Sequence, residues 1–345
     1  MTKDANSLDT VRLAAYLETR MDGFQGPLCA EKFAGGQSNP TFHLKARSGD
    51  YVLRRQPLGT LLKGAHAVDR EYRVLDALKD TGVPVARVFH LCQDTEVIGS
   101  MFYVMSYEQG RIFWDPSLTT LTRDLRAPLY TEMIRVLATL HNVDVNQVGL
   151  GDYSRSGNYY ERQVAMWTRQ YRAAETETLV AMETLMDWLQ ANLPADDGQL
   201  SLVHGDYRLD NLIFEMDQPR VLAVLDWELS ALGHPLADLA YFCMCLRLPT
   251  VGQMSGLAGK NRDELGIPHE AELVADYCAQ RGIDRIDNWS FYLAFSFFRL
   301  AAILQGVLKR SLDGNASNAK AAEVGRMAGH LAQLAVALFD ADSRN

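Results

Sequence analysis

The chain has 345 residues, of which 48% are hydrophobic and 22% are charged, an ordinary composition for a globular enzyme with room for two lobes. Its formal net charge of −9 argues against a nucleic-acid-binding protein, which would usually present a basic surface. The five cysteines are scattered and odd in number, which favours reduced thiols and a cytoplasmic protein. The N-terminus has no apolar stretch of the kind that a signal peptide needs.

The N-terminal part of the sequence predicts a helix followed by strands. Ser7 or Asp9 can cap a helix that runs to about Met21. A glycine-rich segment at 33–39 leads into alternating stretches at 41–45 and 51–55, which are typical of two strands joined by a turn. Glycine lets backbone N–H groups approach a ligand closely, so the glycine-rich segment is either a flap over phosphates or an ordinary turn.

Residues 65–80 form an amphipathic pattern that predicts a helix. Glu71 lies on the apolar face of this helix, where a carboxylate needs a cationic partner. We expect that partner to be Arg54 from the preceding strand. The alternative is an exposed Glu71 that pairs locally with Arg70 or Lys79.

Two more strands are predicted at 86–92 and 100–107, and the chain then becomes mainly helical. Helical periodicity covers the segments 129–141, 159–191, 269–280, 289–309 and 319–340. The stretch 289–308 is long enough to span a membrane, but Arg299 near its middle would cost at least ~2.5 kcal/mol there. We therefore expect a buried helix and no membrane partner.

The stretch Leu202 to Glu228, LVHGDYRLDNLIFEMDQPRVLAVLDWE, has polar residues at informative spacings. Apolar runs at 212–214 and 221–225 predict a hairpin, with Asn211 at its start and Asp226 just after its end. Amide and carboxylate oxygens are ligands that Mg²⁺ prefers, and phosphoryl transfer also needs a carboxylate to orient the attacking hydroxyl. Asp206 is suited to that second role. The pattern therefore indicates phosphoryl transfer from ATP, and the alternative is a loop of ordinary solvated polar residues.

HGDYRLDN followed by LDWE resembles the catalytic and metal loops of the aminoglycoside phosphotransferase and choline kinase superfamily. The resemblance covers nearly the whole chain and implies an α+β, bilobal, protein-kinase-like fold. The N-lobe, residues 1–108, would be a small antiparallel sheet with one main helix, and the larger C-lobe, residues 109–345, would be mainly helical. The implied cofactors are ATP and Mg²⁺, although GTP stays an alternative.

The same resemblance assigns roles around the active site. Asp206 matches the catalytic aspartate, and Asn211 and Asp226 match the metal ligands. Arg208 stands where protein kinases carry a lysine and is suited to neutralise charge on the phosphoryl group. Two residues are expected to support the catalytic loop rather than to react, namely His204 and Asp238.

The nucleotide site also follows from the resemblance. Arg54 stands where protein kinases carry the phosphate-binding lysine, paired with Glu71, and Arg55 is the alternative. The glycine-rich flap contributes Gly35, Gly36, Ser38 and Asn39. The connector between the lobes, where adenine would bind, is formed by Met105, Ser106, Tyr107 and Glu108.

Residues 233–242 follow Asp226 closely and open a further predicted helix, which leaves no room for an activation loop and favours a kinase of small molecules. Arg111 and Trp114 follow the connector and are candidates for acceptor binding. The chain most resembles kinase-like domains associated with acyl-CoA dehydrogenases, which implies a hydroxyacyl acceptor and a functional link to such an enzyme; an aminoglycoside stays open. Two other hypotheses remain, namely that the protein is a nucleotide-binding module without turnover or a metal-dependent hydrolase.

Overall fold

The computed structural model of the protein describes residues 8–33, 39–59, 66–153, 157–251, 254–314 and 321–342. By the proximity of their Cα atoms, the residues form two compact units. The first, called the sheet unit, comprises segments 1–112, 146–150 and 211–230, and the second, the helical unit, comprises 113–145, 151–210 and 231–345. These segments differ from the predicted domains because the sheet unit includes a hairpin from the second half of the chain. The predicted boundary after residue 108 stays a prediction.

The strands of both units are short. In chain order they are β1 (Leu28–Lys32), β2 (Thr41–Ala46), β3 (Gly49–Arg55), β4 (Val88–Cys92), β5 (Phe102–Ser106), β6 (Ser201–Val203), β7 (Leu212–Phe214), β8 (Val221–Val224) and β9 (Ala231–Gly233). The first five form one antiparallel sheet in the order β1-β2-β3-β5-β4. This confirms the small antiparallel sheet of the predicted fold. The position of β1 was not indicated by the sequence patterns.

Helices account for most of the helical unit. In chain order the helices are α1 (Thr10–Glu18), α2 (Val68–Leu78), α3 (Arg123–His141), α4 (Tyr159–Ala174), α5 (Val180–Ala191), α6 (Leu236–Arg247), α7 (Arg262–Leu265), α8 (Glu270–Arg281), α9 (Trp289–Leu312), α10 (Ala321–Gly325) and α11 (Ala328–Asp342). Helices α1 and α2 belong to the sheet unit and the others to the helical unit. The mainly helical character of the second part of the predicted fold is confirmed.

Helix α1 covers one end of the core of the sheet unit. Asp9 caps it by accepting a hydrogen bond from the N–H of Arg12 at 3.0 Å, as predicted, whereas Ser7 lies outside the described residues. Leu13 and Leu17, spaced one turn apart, are buried in the cluster that includes the apolar residues of β2, β3 and β5.

Helix α9 is the most apolar element of the helical unit. Among the described residues, it is the helix whose length and hydropathy would suit a membrane span, yet most of it is buried within the protein. It packs against α4, α6, α10 and α11. Its burial is that of a core helix, as the sequence analysis expected.

Two predicted helical stretches are each divided in the structure. The stretch 159–191 forms α4 and α5, with a break at 175–179 where Gln305 of α9 donates to Ala174 O at 3.0 Å and to Thr176 Oγ1 at 2.9 Å. The stretch 319–340 forms α10 and α11, separated after Gly325. A Cβ on that glycine would lie 2.7 Å from the side chain of Leu308, so the close approach of α10 to α9 requires glycine.

Candidate active site

The loop after β6 contains the predicted catalytic aspartate and belongs to the helical unit. Gly205 has φ of +85°, a left-handed conformation that favours glycine and turns the chain sharply before Asp206. The His204 ring is fully buried, and its Nδ1 accepts a hydrogen bond from the N–H of Asp206 at 3.2 Å. This hydrogen bond joins the His204 ring to the loop backbone, and the supporting role of His204 stays a prediction.

Asp238 of α6 holds the same loop through its backbone. Its carboxylate accepts hydrogen bonds from the N–H groups of His204 at 2.6 Å and Gly205 at 2.8 Å, and it lies 3.3 Å from Nε2 of the buried His141. Burial alone would raise the pKa of Asp238, but the hydrogen bonds from His141 and from the Gly205 N–H hold it below its ordinary value. The charged carboxylate of Asp238 thus makes three contacts, two of them to the loop backbone, and its supporting role stays a prediction with compatible geometry.

Asp206 itself has a side-chain partner that the sequence analysis did not anticipate. The hydroxyl of Tyr241, also on α6, donates to Asp206 Oδ1 at 2.6 Å. Arg299 of α9 donates from Nη2 to the carbonyl oxygen of Gly205 at 2.8 Å. Neither residue lies near the motif in sequence, so a pattern search along the chain has no signal that would find them.

Arg208, predicted to neutralise the phosphoryl group, forms an ion pair with Asp210, with Nη2 and Oδ2 at 2.6 Å. Burial lowers the pKa of Arg208, but the hydrogen bonds to Asp210 outweigh it and keep the pKa above its ordinary value. The guanidinium therefore remains charged. Its role toward a phosphoryl group stays a prediction, since its charge is shared with Asp210.

A cavity of about 200 Å³ opens beside these residues, within the helical unit. Its polar lining includes Arg208, Asp210 and Tyr241, and Trp114 stands at its wall with 70% of its surface exposed. The apolar lining is provided by Pro116, Leu209, Phe242, Leu246, Leu248, Met254, Leu300 and Leu304. Because Tyr241 both lines this cavity and bonds to Asp206, the cavity adjoins the predicted catalytic carboxylate.

The sheet unit contains the second group of predicted residues. Arg54 of β3 forms the predicted ion pair with Glu71 of α2, with Nε and Oε2 at 2.7 Å, and its Nη2 lies 2.6 Å from Asp226 Oδ1. Glu228 is more distant, at 3.7 Å. Burial lowers the pKa of Arg54, but the charges of Glu71 and Asp226 outweigh it and raise the pKa above its ordinary value, so the cation is permanent.

Glu71 is buried and receives two further hydrogen bonds. Asn39 Nδ2 donates to its Oε1 at 2.8 Å, and the hydroxyl of Tyr103 donates to its Oε2 at 3.1 Å. Burial raises the pKa of Glu71, and Arg54 opposes that shift. Asn39 thus contacts Glu71, the partner of Arg54. The contact of Asn39 with nucleotide stays a prediction. Three other predicted flap residues lie outside the described residues, namely Gly35, Gly36 and Ser38.

Arg55, the alternative phosphate-binding residue, faces the opposite side of β3. Side chains alternate along a strand, so Arg54 and Arg55 cannot share a face. Arg55 is buried with its guanidinium carbon 5.3 Å from the centre of the Phe42 ring, and burial lowers its pKa. The geometry favours Arg54, which contacts the carboxylates of Glu71 and Asp226.

The predicted metal ligands lie at the base of the β7–β8 hairpin, which is confirmed in the sheet unit. Leu225 N donates to the carbonyl oxygen of Asn211 at 2.8 Å, which holds the two ends of the hairpin together. Asp226 adopts φ of 63°, a left-handed conformation that is strained for a residue with a side chain. The oxygen donors of Asn211 and Asp226 suit Mg²⁺, and the Asp226 carboxylate forms an ion pair with Arg54.

No group of three or more His, Cys, Asp and Glu residues is arranged to bind a metal in the part of the chain that the structure describes. A Mg²⁺ ion held by one amide, one carboxylate and phosphate or water oxygens would not form such a group. The metal role of Asn211 and Asp226 therefore stays a prediction with a compatible donor set.

The predicted connector follows β5 in the sheet unit. Met105 and Ser106 end the strand, and the Ser106 hydroxyl accepts from Arg87 N at 2.9 Å and donates to Glu108. The ring of Tyr107 stacks on His43 with centroids 4.3 Å apart. These contacts order the connector, and its binding of adenine stays a prediction.

The two candidate acceptor residues are assigned to different units. Arg111 belongs to the sheet unit, where its Nε donates to the carbonyl oxygen of Glu215 in the β7–β8 turn at 3.2 Å. Trp114 belongs to the helical unit and lines the cavity beside Arg208. Within its own unit, Arg111 therefore stabilises the hairpin turn, whereas Trp114 is available to a ligand of the cavity.

The small antiparallel sheet with helix α2 and the mainly helical second unit correspond to the protein-kinase-like fold that the sequence motifs predicted. A family model described as the phosphotransferase enzyme family matches residues 30–295, and the chain belongs to this family. The prediction from the sequence motifs is thereby confirmed.

Similarity to individual proteins is consistent with this assignment. The chain is 49% identical over 311 residues to acyl-CoA dehydrogenase family member 10 of Mus musculus; the match covers 90% of this chain and 29% of that protein. It therefore spans less than a third of the length of that relative, and 41% of the human family member 11. The predicted likeness to kinase-like domains of these proteins is confirmed.

Solved structures show the same fold. The crystal structure of a Ralstonia eutropha protein provisionally assigned as an aminoglycoside phosphotransferase is 47% identical, with a TM-score of 0.88, and the match covers 96% of this chain and 98% of that one. A spectinomycin phosphotransferase in complex with ADP and spectinomycin shares the fold at 13% identity, with a TM-score of 0.61, and the match covers 96% of this chain and 98% of that one.

Proposed function

We propose that this protein transfers the γ-phosphoryl group of ATP to a hydroxyl group of a small molecule, with Mg²⁺ as cofactor. The observation that carries the proposal is the cluster formed by Arg54 of β3, Glu71 of α2 and Asp226 after β8. Phosphoryl transfer depends on a fixed cation for the nucleotide phosphates and on a carboxylate for the metal that bridges them. The cluster contains both groups.

Each residue has a distinct role in this proposal. Arg54 would bind phosphate oxygens and is kept in position by Glu71, while Asn211 and Asp226 would hold Mg²⁺, which would neutralise phosphate charge when bound. Asp206 accepts a hydrogen bond from the acceptor hydroxyl. It receives that proton as the new oxygen–phosphorus bond forms and the bond to the β-phosphate oxygen breaks.

The acceptor in this proposal is a hydroxyacyl compound rather than an aminoglycoside. The cavity next to Tyr241 has mainly apolar walls, which suit a hydrocarbon chain better than a polycationic sugar. Its acidic residue, Asp210, is already paired with Arg208. The likeness to parts of acyl-CoA dehydrogenase family members supports the same class of acceptor and a functional link to such an enzyme.

The test compares binding with turnover. Mg²⁺ and ATP together are expected to raise the thermal unfolding midpoint, since ligand at a hundredfold excess over Kd stabilises by about 2.7 kcal/mol. GTP in place of ATP tests the base, and a panel of hydroxyacyl compounds and aminoglycosides tests the acceptor. The readout of turnover is the phosphorylated acceptor, detected by mass spectrometry.

Asp206→Ala should abolish transfer and keep the thermal shift with Mg²⁺ and ATP, because its side chain acts on the acceptor and not on the nucleotide. Asp217→Asn, at an exposed position of the β7–β8 turn, is the matched control and should behave as wild type. Turnover retained in Asp206→Ala would reject the assignment. A wild-type protein that binds nucleotide but phosphorylates no acceptor would instead be a nucleotide-binding module.

A further inference from the structure

One face of helix α6 contacts three consecutive residues of the catalytic loop. Asp238 binds the N–H groups of His204 and Gly205, and Tyr241, three residues later and so on the same helical face, donates to the side chain of Asp206 at 2.6 Å. The first two contacts fix the path of the loop backbone. The third is different in kind, because it fixes the carboxylate itself.

Arg299 of α9 contacts both the loop and Tyr241. Its Nη2 donates to Gly205 O at 2.8 Å, so the N–H and the carbonyl of that glycine are bonded by different helices. Its guanidinium carbon lies 5.5 Å from the centre of the Tyr241 ring and 5.7 Å from that of Trp167. A guanidinium over an aromatic face is attracted to the ring, so Arg299 restricts where Tyr241 can lie.

We propose that Tyr241 is a positioning residue that fixes the orientation of the Asp206 carboxylate, and that Arg299 fixes the position of Tyr241 relative to the loop. This inference rests on the proposed function, in which Asp206 accepts the proton of the acceptor hydroxyl. A hydrogen bond to Oδ1 prevents rotation of the carboxylate about its Cβ–Cγ bond. The orientation of Oδ2 toward the acceptor is then set before the acceptor arrives.

The chemistry of the tyrosine suits this role. Burial raises the pKa of Tyr241 well above its ordinary value, so the phenol stays protonated and donates to the carboxylate at every working pH. Phosphoryl transfer depends mainly on positioning and charge stabilisation, and a misplacement of about 1 Å is enough to lower a rate about 100-fold. A fixed orientation of the Asp206 carboxylate should therefore raise the rate of phosphoryl transfer substantially.

Tyr241→Phe removes the hydroxyl and keeps the ring under Arg299. We expect kcat for phosphoryl transfer to fall about 10- to 100-fold while the KM for ATP is unchanged. Tyr16→Phe is the matched control, because it also removes a tyrosine hydroxyl with a hydrogen bond, to His90 Nε2 at 3.0 Å, in the sheet unit. The control should lose a similar amount of thermal stability and keep its kcat.

Arg299→Lys keeps the charge and removes the planar guanidinium. It should lower kcat in the same direction, and the double variant with Tyr241→Phe should be less impaired than the product of the two single effects, because both residues act on one carboxylate. Strictly multiplicative effects would overturn the shared role. A Tyr241→Phe enzyme with the kcat of wild type would overturn the positioning role of Tyr241.

A spectroscopic readout separates this inference from the proposed function. A hydroxyl proton in a short hydrogen bond to the half-buried Asp206 carboxylate should give a downfield proton resonance, which should be present in wild type and Tyr16→Phe and absent in Tyr241→Phe. Asp206→Asn should move it upfield, because a neutral amide is a weaker acceptor. If no acceptor is phosphorylated, the proposed function fails, but this resonance still shows whether Tyr241 donates a hydrogen bond to Asp206. A resonance that Asp206→Asn leaves unchanged would overturn the inference.

Discussion

The substitution Asp238→Asn tests how the catalytic loop is held. The carboxylate is 1% exposed and accepts from the N–H groups of His204 at 2.6 Å and Gly205 at 2.8 Å. Asparagine has the same shape but a single acceptor oxygen, so one of these N–H groups would face its NH₂ group. An unsatisfied buried donor costs about 1–3 kcal/mol and loss of charge weakens the remaining bond, so we expect a loss of about 2–4 kcal/mol in unfolding free energy.

Urea unfolding measures this loss through the midpoint, provided that the slope of free energy against urea is unchanged. Asp187→Asn, at an exposed position of α5 in the same unit, is the matched control and should shift the free energy by no more than about 0.5 kcal/mol. If Asp238→Asn unfolds at the midpoint of wild type, the loop does not depend on this carboxylate.

The same variant has a defined pH dependence. The folded-state pKa of Asp238 lies below its unfolded value, which is about 3.9, so its charge contributes stability above about pH 4. That contribution is lost as the pH falls through the folded-state pKa. The stability gap between wild type and Asp238→Asn should therefore be full at neutral pH and narrow on acidification below about pH 4. A gap that widens with acid would contradict the assigned charge state.

Two further predictions address the sheet unit. Arg54→Lys should weaken Mg²⁺·ATP binding by about tenfold or more in calorimetric titration, because one ammonium cannot contact both Glu71 and Asp226 as a guanidinium does. Unchanged affinity would exclude Arg54 from the nucleotide site. Gly110→Ala should cost about 1–3 kcal/mol in urea unfolding, because its Cβ would lie 2.3 Å from Phe214 O, and a stable variant would show that the two segments can separate there.

The parts of the fold that local pattern determines were predictable. Alternation predicted β2 and β3, and the two apolar runs around the turn predicted the β7–β8 hairpin. A buried acid on an amphipathic helix has few ways to be satisfied, which is why Glu71 indicated Arg54 as its partner. In each case the physical requirement is met within one element or by its neighbour in the sheet unit.

What could not be predicted depends on side chains that meet through tertiary packing. Tyr241 and Arg299 contact the catalytic loop from helices 35 and 94 residues away in sequence, and neither position stands out in the periodicity of its helix. The break between α4 and α5 contains no glycine or proline, and it is stabilised instead by Gln305 from α9. Such hydrogen bonds join residues that are far apart in the sequence, so the spacing of residues along the chain does not predict them.

The motif that dominates the sequence is divided between the two compact units, because the boundary lies between Asp210 and Asn211. The Asp206 carboxylate accepts a hydrogen bond from Tyr241 within the helical unit, whereas Asp226 is bonded to Arg54 within the sheet unit. Asp206 and Asp226 thus each have a side-chain contact inside their own unit. Variants of the α6 and α9 supports should therefore change turnover without changing nucleotide affinity, and variants of the Arg54 cluster should change nucleotide affinity first. Asp206 and Asp226 are close in sequence, yet their side chains are contacted by different residues.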